Sequence, residues 1–226
     1  MPLAVKICGL SDAVALDAAV AGGARYVGFV FFPPSPRAIL PEAAAALAAR
    51  VPQGVLRVGL VVDAGDEDLQ AITSAVPLDL LQLHGAETPE RVAAVRARFR
   101  LPVMKAIPVA EAADLARVES YLSVADRLLF DARPPAGATR PGGNAAAFDW
   151  RLLAGRRWPV PWLLAGGLDA ANLGRAVRES GAEAVDVSSG VEDAPGRKSA
   201  TLIEAFLAAA AAIGDPDGPE AQPDRA

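Results

Sequence analysis

Cys8 closes the run Ala4-Val5-Lys6-Ile7-Cys8-Gly9, and Asp131 closes Leu128-Leu129-Phe130-Asp131. A thiol with a lowered pKa takes protons, and a carboxylic acid gives them. Both runs read as strands, so a candidate base and a candidate acid stand at two strand ends. That pair is the minimum equipment for moving a proton between two atoms of one substrate. Lys6, two residues from the thiol, is expected to lower its pKa by its positive charge. Each residue also has a plainer reading. A free cysteine is usually a small buried hydrophobe, and Asp131 could cap a helix or pair with Arg133. His84, the only histidine, suits acid–base work at neutral pH. With Cys8 as base, its expected place is a hydrogen-bonded pocket wall.

These residues must be held by the elements around them. Short apolar runs alternate with alanine-rich stretches along nearly the whole chain. After the first strand, Ser11-Asp12 provides an N-cap for a helix to about Ala21, which Gly22-Gly23 stops. Further strands are expected at Tyr26–Phe32, Leu56–Val62, Leu80–Leu83, Val103–Ile107, Arg127–Phe130, Trp162–Ala165 and Ala184–Val187. Helices are expected at Pro41 to about Arg50, Asp66–Ala75, Pro89–Phe99, Glu111–Tyr121, Phe148–Leu153, Asp169–Ser180 and Ser199 to Ala212. Strands apolar on both faces and separated by helices imply a parallel sheet. Eight of them imply an α/β fold of one domain, a (β/α)8 TIM barrel over residues 1–213. An open doubly wound sheet is the alternative, but no GxGxxG follows the first strand. Residues 214–226 form a polar, proline-rich stretch expected to be a disordered tail.

Bulk properties narrow the function. The 226 residues are 52% hydrophobic, enough for a large core. A net charge of −5 argues against a general nucleic-acid surface. No apolar run is long enough for a membrane span, and the N-terminus does not read as a secretory signal. One cysteine makes no internal disulfide, so a cytoplasmic setting is expected.

A barrel carries its chemistry at the carboxyl ends of its strands. Those ends bear Cys8, the Ser35-Pro36-Arg37 loop, Gln82-Leu83-His84-Gly85, Asp131, Ala165-Gly166-Gly167, and Asp186-Val187-Ser188-Ser189-Gly190. The glycine turns after strands seven and eight, Gly166-Gly167 and Ser189-Gly190, expose backbone N–H groups, and a following helix N-terminus adds positive dipole. Together they predict a phosphate cradle. Asp186 lies in an apolar strand and needs a partner. It either faces the substrate or is tied to a lysine such as Lys6.

Five blocks in order, Lys-Ile-Cys-Gly at 6–9, Ser-Pro-Arg at 35–37, Gln-Leu-His-Gly at 82–85, Leu-Ala-Gly-Gly-Leu at 164–168 and Val-Asp-Val-Ser-Ser-Gly-Val-Glu at 185–192, resemble phosphoribosylanthranilate isomerase. Phe-Asp-Trp at 148–150 fits too. The resemblance implies a TIM barrel of tryptophan biosynthesis that performs an Amadori rearrangement of N-(5-phosphoribosyl)anthranilate without metal or organic cofactor. It implies Cys8 as general base, Asp131 as general acid, and Arg37 facing the anthranilate carboxylate. It puts Gly166, Gly167, Ser189 and Gly190 at the phosphate; His84 and Asp186 are further candidate substrate contacts, the role of Asp186 staying open. The partner is then a small phosphosugar, with no nucleic acid or membrane, and the chain is a monomer or homodimer. One departure is the loop Gly142-Gly143-Asn144-Ala145-Ala146-Ala147, where the family usually has a later glycine. Another phosphosugar barrel or a non-catalytic phosphate binder is the competing reading. A metal-dependent epimerase would need more histidines than one.

Overall fold

Alternation along each strand decides what the barrel holds inside. In the computed structural model, which describes residues 2–134, 142–143 and 147–214, eight parallel strands close in the order β1 to β8. They are β1 (Ala4–Cys8), β2 (Tyr26–Val30), β3 (Leu56–Val61), β4 (Leu80–Leu83), β5 (Val103–Val109), β6 (Arg127–Ala132), β7 (Trp162–Leu164) and β8 (Ala184–Val187). Side chains of a strand point alternately to its two faces. Val5 and Ile7 of β1 therefore join the core under the helices, whereas Lys6 and Cys8 point into the barrel. On β6, Phe130 faces outward and stacks against Trp158 and Trp162, at 4.5 and 5.5 Å between ring centroids. Burying such a ring contributes about 1.5–3 kcal/mol, and it turns Asp131 inward. Tyr26, Val58, Leu80, Met104, Leu129 and Leu163 fill the barrel floor.

The helices are α1 (Ala13–Ala21), α2 (Pro41–Ala48), α3 (Asp66–Ala75), α4 (Pro89–Phe99), α5 (Leu173–Ser180) and α6 (Ala200–Gly214). Asp12 caps α1 by accepting from Ala15 N at 2.9 Å. Thr88 and Pro89 start α4 as side-chain cap and preset first turn. The segments Ala112–Tyr121 and Trp150–Leu153 are 3-10 helices where α-helix was expected. The helix expected from Asp169 begins at Leu173. Asp169 and Asn172 bond each other's backbone N–H at 2.8 and 3.0 Å, a local turn that competes with helix. An antiparallel hairpin absent from the sequence reading, β9 (Glu192–Ala194) and β10 (Arg197–Lys198), follows β8. The tail expected over 214–226 lies outside the described residues beyond Gly214. Among the described residues no helix is long and apolar enough to cross a membrane.

Candidate active site

At the carboxyl end of the barrel Cys8, Arg37, His84, Asp131, Gly166, Gly167, Asp186 and Ser189 line one pocket. Eight of the nine expected site residues thus converge. The ninth, Gly190, lies behind the wall, where a Cβ would collide with the backbone carbonyl of Leu168. Its missing side chain lets the turns after β7 and β8 touch. Gly166 and Gly167 both have positive φ, 91° and 64°, which glycine adopts without strain. Asn172 Nδ2 donates to Gly167 O at 2.8 Å and braces that turn. Ser189 opens a three-residue 3-10 turn, so the expected helix dipole is not built directly after β8.

Cys8 sits beside two charges. Lys6 is fully buried and donates from Nζ to Asp186 Oδ1 at 2.8 Å. Asp186 therefore does both things weighed for it: it lines the pocket and ties down Lys6. Gly28 leaves room for the neighbours, since a Cβ there would lie 3.2 Å from both Cys8 Sγ and Lys6 Nζ. Burial works against the Lys6 ammonium, but Asp186 and Cys8 outweigh it and hold the group charged, above its ordinary pKa. The expected lowering of the thiol pKa does not occur. Burial pushes the Cys8 thiol up and Asp186 adds to that, against the opposing pull of Lys6 and Lys198. The sequence displays the lysine but not the desolvation.

Asp131 does not pair with Arg133, whose guanidinium meets Asp114. Its Oδ1 accepts from Ala132 N at 2.8 Å, and its Oδ2 lies 3.2 Å from His84 Nε2. The His84 turn is itself anchored. Lys105 donates to Gly85 O at 2.8 Å and to Glu87 Oε2 at 2.9 Å, and Gly85 N donates to Glu87 at 3.0 Å. Gly142 passes over the acid so closely that a Cβ would strike His84 Nε2 and Asp131 Oδ2; one on Gly143 would strike Arg37. These two glycines belong to the loop that departs from the family pattern. Residues 144–146 of that loop lie outside the described residues.

Arg37 is buried and forked. Its Nε and Nη2 donate to the two oxygens of Glu192 at 2.6 and 2.8 Å. Lys198 donates to the same Glu192 at 2.7 Å and to Ser188 O at 2.8 Å, and Ser188 Oγ donates to Cys8 O at 3.1 Å. Burial would raise the Glu192 carboxyl, but Arg37 and Lys198 outweigh it and hold it below its usual range. Glu192 and Lys198 were missed as functional neighbours; Glu192 stood in a quoted motif, but its contact with Arg37 spans the chain. Among the described residues no group of three or more His, Cys, Asp or Glu is placed to hold a metal.

The fold and the residues at its mouth define a closed (β/α)8 barrel with ionisable side chains gathered in one pocket at the carboxyl ends of its strands. A family model described as N-(5'-phosphoribosyl)anthranilate (PRA) isomerase matches residues 5–209. Named N-(5'-phosphoribosyl)anthranilate isomerase, the relative from Paramagnetospirillum magneticum is 60% identical over 210 residues, covering 93% of this chain and 98% of its own. That from Rhodospirillum centenum, of the same name, is 61% identical over 214 residues, covering 94% and 100%. The crystal structure of phosphoribosyl anthranilate isomerase from Thermotoga maritima has a TM-score of 0.81 at 36% identity, covering 92% and 98%. A phosphoribosyl anthranilate isomerase crystallised with reduced 1-(o-carboxyphenylamino)-1-deoxyribulose 5-phosphate has 0.79 at 34%, with the same coverage. The chain belongs to the N-(5'-phosphoribosyl)anthranilate isomerase family.

Proposed function

We propose that this chain converts N-(5-phosphoribosyl)anthranilate to 1-(2-carboxyphenylamino)-1-deoxyribulose 5-phosphate, with Asp131 as general acid and Cys8 as general base. The observation that carries this reading is the placement of Cys8 and Asp131 in one pocket with a guanidinium and two glycine-rich turns. Asp131 gives a proton to the ribose ring oxygen as the C1–O bond breaks and the nitrogen lone pair forms C1=N+. Cys8, as thiolate, takes the proton from C2. The C–H electrons become C1=C2 and neutralise the nitrogen. The enol hydroxyl then loses its proton as C1 gains one, leaving the ketone. One proton shared between Cys8 and Asp131 is conserved over the cycle and returns to Asp131 through solvent.

The electrostatics support this division. A thiolate formed at Cys8 lies beside the permanent charge of Lys6, while its raised pKa makes it a stronger base once formed. Arg37 binds the anthranilate carboxylate with the donors that Glu192 leaves over, and the backbone of Gly166, Gly167 and Ser189 holds the phosphate. Incubation with enzymatically generated phosphoribosylanthranilate tests the reaction. Its fluorescence should decay with the wild-type chain and not with Asp131→Asn. No decay with the wild-type chain refutes the reading.

A further inference from the structure

Gln82 has no part in the chemistry described so far. It is fully buried on β4, two residues before His84, which lies just past the end of that strand. Its Nε2 lies 2.7 Å from His84 Nδ1, and His84 Nε2 lies 3.2 Å from Asp131 Oδ2. The other amide atom, Oε1, is buried with no hydrogen-bond partner among the described residues. A primary amide nitrogen only donates. In this orientation of the amide Nδ1 is the acceptor, which puts the proton of a neutral ring on Nε2, facing Asp131. Methionine or leucine would fill this position without burying an orphan carbonyl. What glutamine adds there is the bond to the imidazole.

We propose that Gln82 is a positioning residue that holds His84 as the Nε2–H tautomer, so that His84 donates to Asp131 and cannot accept from it. The effect on catalysis rests on Asp131 being the general acid. With the opposite tautomer, the Nε2 lone pair would draw the Asp131 proton into an internal O–H···N bond, away from the substrate. With N–H in that place, the acidic proton is left pointing at the pocket. Ala132 N already occupies Oδ1 at 2.8 Å, so both carboxyl oxygens are oriented by donors. Gln82 thus acts on the acid through the imidazole.

The single histidine makes the test direct. The full chain with 15N-labelled histidine gives one imidazole spin system. For the neutral ring the expected spectrum has a protonated Nε2 and an unprotonated Nδ1; the reverse would overturn the proposal with no variant needed. Gln82→Glu replaces the donor by an acceptor. It is expected to invert the tautomer and lower kcat by about tenfold or more, with KM within about threefold. Gln82→Met keeps the volume without the amide and is expected to give mixed tautomers and a smaller loss of kcat. Variants whose tautomer changes while kcat stays at the wild-type value would refute the positioning role. Wild-type kcat in Asp131→Asn would instead refute the acid reading, and with it the effect on kcat, leaving the tautomer result intact.

Discussion

Lys6 on β1 and Asp186 on β8 are direct register partners, and their side chains meet at 2.8 Å inside the seam that closes the barrel. The ammonium beside the thiol is thus compensated from the last barrel strand of the chain. Removing one member of a buried pair strands the other charge in a low-dielectric interior, at a cost of about 3–5 kcal/mol. Lys6→Met is expected to lose about that much in urea unfolding. The double variant Lys6→Met/Asp186→Leu should recover much of it. A single-variant loss under about 1 kcal/mol would show that the pair behaves as an exposed one.

Cys8 should be a slow nucleophile in the empty pocket. Burial holds its thiol above its ordinary 9.0, so less thiolate is present at any given pH. Because Cys8 is the only cysteine, carboxamidomethylation of the native chain reads it alone. The rate should climb through pH 9 without levelling off. By linkage, a raised folded-state pKa gives Cys8 a contribution to stability that is present below 9.0 and lost as pH rises through the folded value. A plateau in alkylation below pH 8 would mean that Lys6 outweighs burial.

Cys8→Ala and Asp131→Asn should each lower kcat by at least about 10²-fold with the fold intact, the usual share of a general acid or base. Circular dichroism checks the fold and the fluorescence assay the rate. Near wild-type kcat in Cys8→Ala would remove Cys8 as the base.

Arg37→Ala should raise KM far more than it lowers kcat. The carboxylate it would bind carries the same charge before and after proton transfer, so the interaction is uniform binding. With a substrate analogue lacking that carboxylate, wild type and variant should converge. A persisting large difference would mean that Arg37 serves mainly to anchor Glu192.

Inorganic phosphate should inhibit competitively, and Gly190→Ala should weaken that inhibition. The added Cβ must push the turn after β8 off Leu168, spreading the N–H groups that converge on the anion. Unchanged inhibition by phosphate in a folded Gly190→Ala chain would place the anion elsewhere.

Periodicity and turn residues made most of this architecture readable. All eight strands were legible because each is a short apolar run bounded by a cap, a glycine or a proline, and α3 and α4 match to the residue. The sequence does not separate 3-10 from α-helix at Ala112–Tyr121, since both patterns bury the same apolar side chains. It hides β9 and β10 because strands of three and two residues carry no alternation. The candidate site residues were legible as groups at strand ends, where the structure places them, but their partners were not. Arg37 shows no protein partner in the sequence, because Glu192, 155 positions away, closes on it only in the fold. Lys6 reads as an activator of Cys8 until burial and Asp186 are known.

The seam between β8 and β1 also orders events in time. Asp131, His84 and Gln82 lie on β4 and β6 or just beyond β4, within a continuous middle stretch of chain. Cys8 lies on the first strand, and the counter-ion of its neighbour Lys6 lies on the eighth. Ser188, which donates to the Cys8 carbonyl, also comes from the far end. A nascent chain therefore holds Asp131, His84 and Gln82 well before Cys8 has all of its neighbours. Asp186 and Ser188, which complete the surroundings of Cys8, are the last of these residues to be synthesised, so the thiol on the first strand waits on the eighth for its setting.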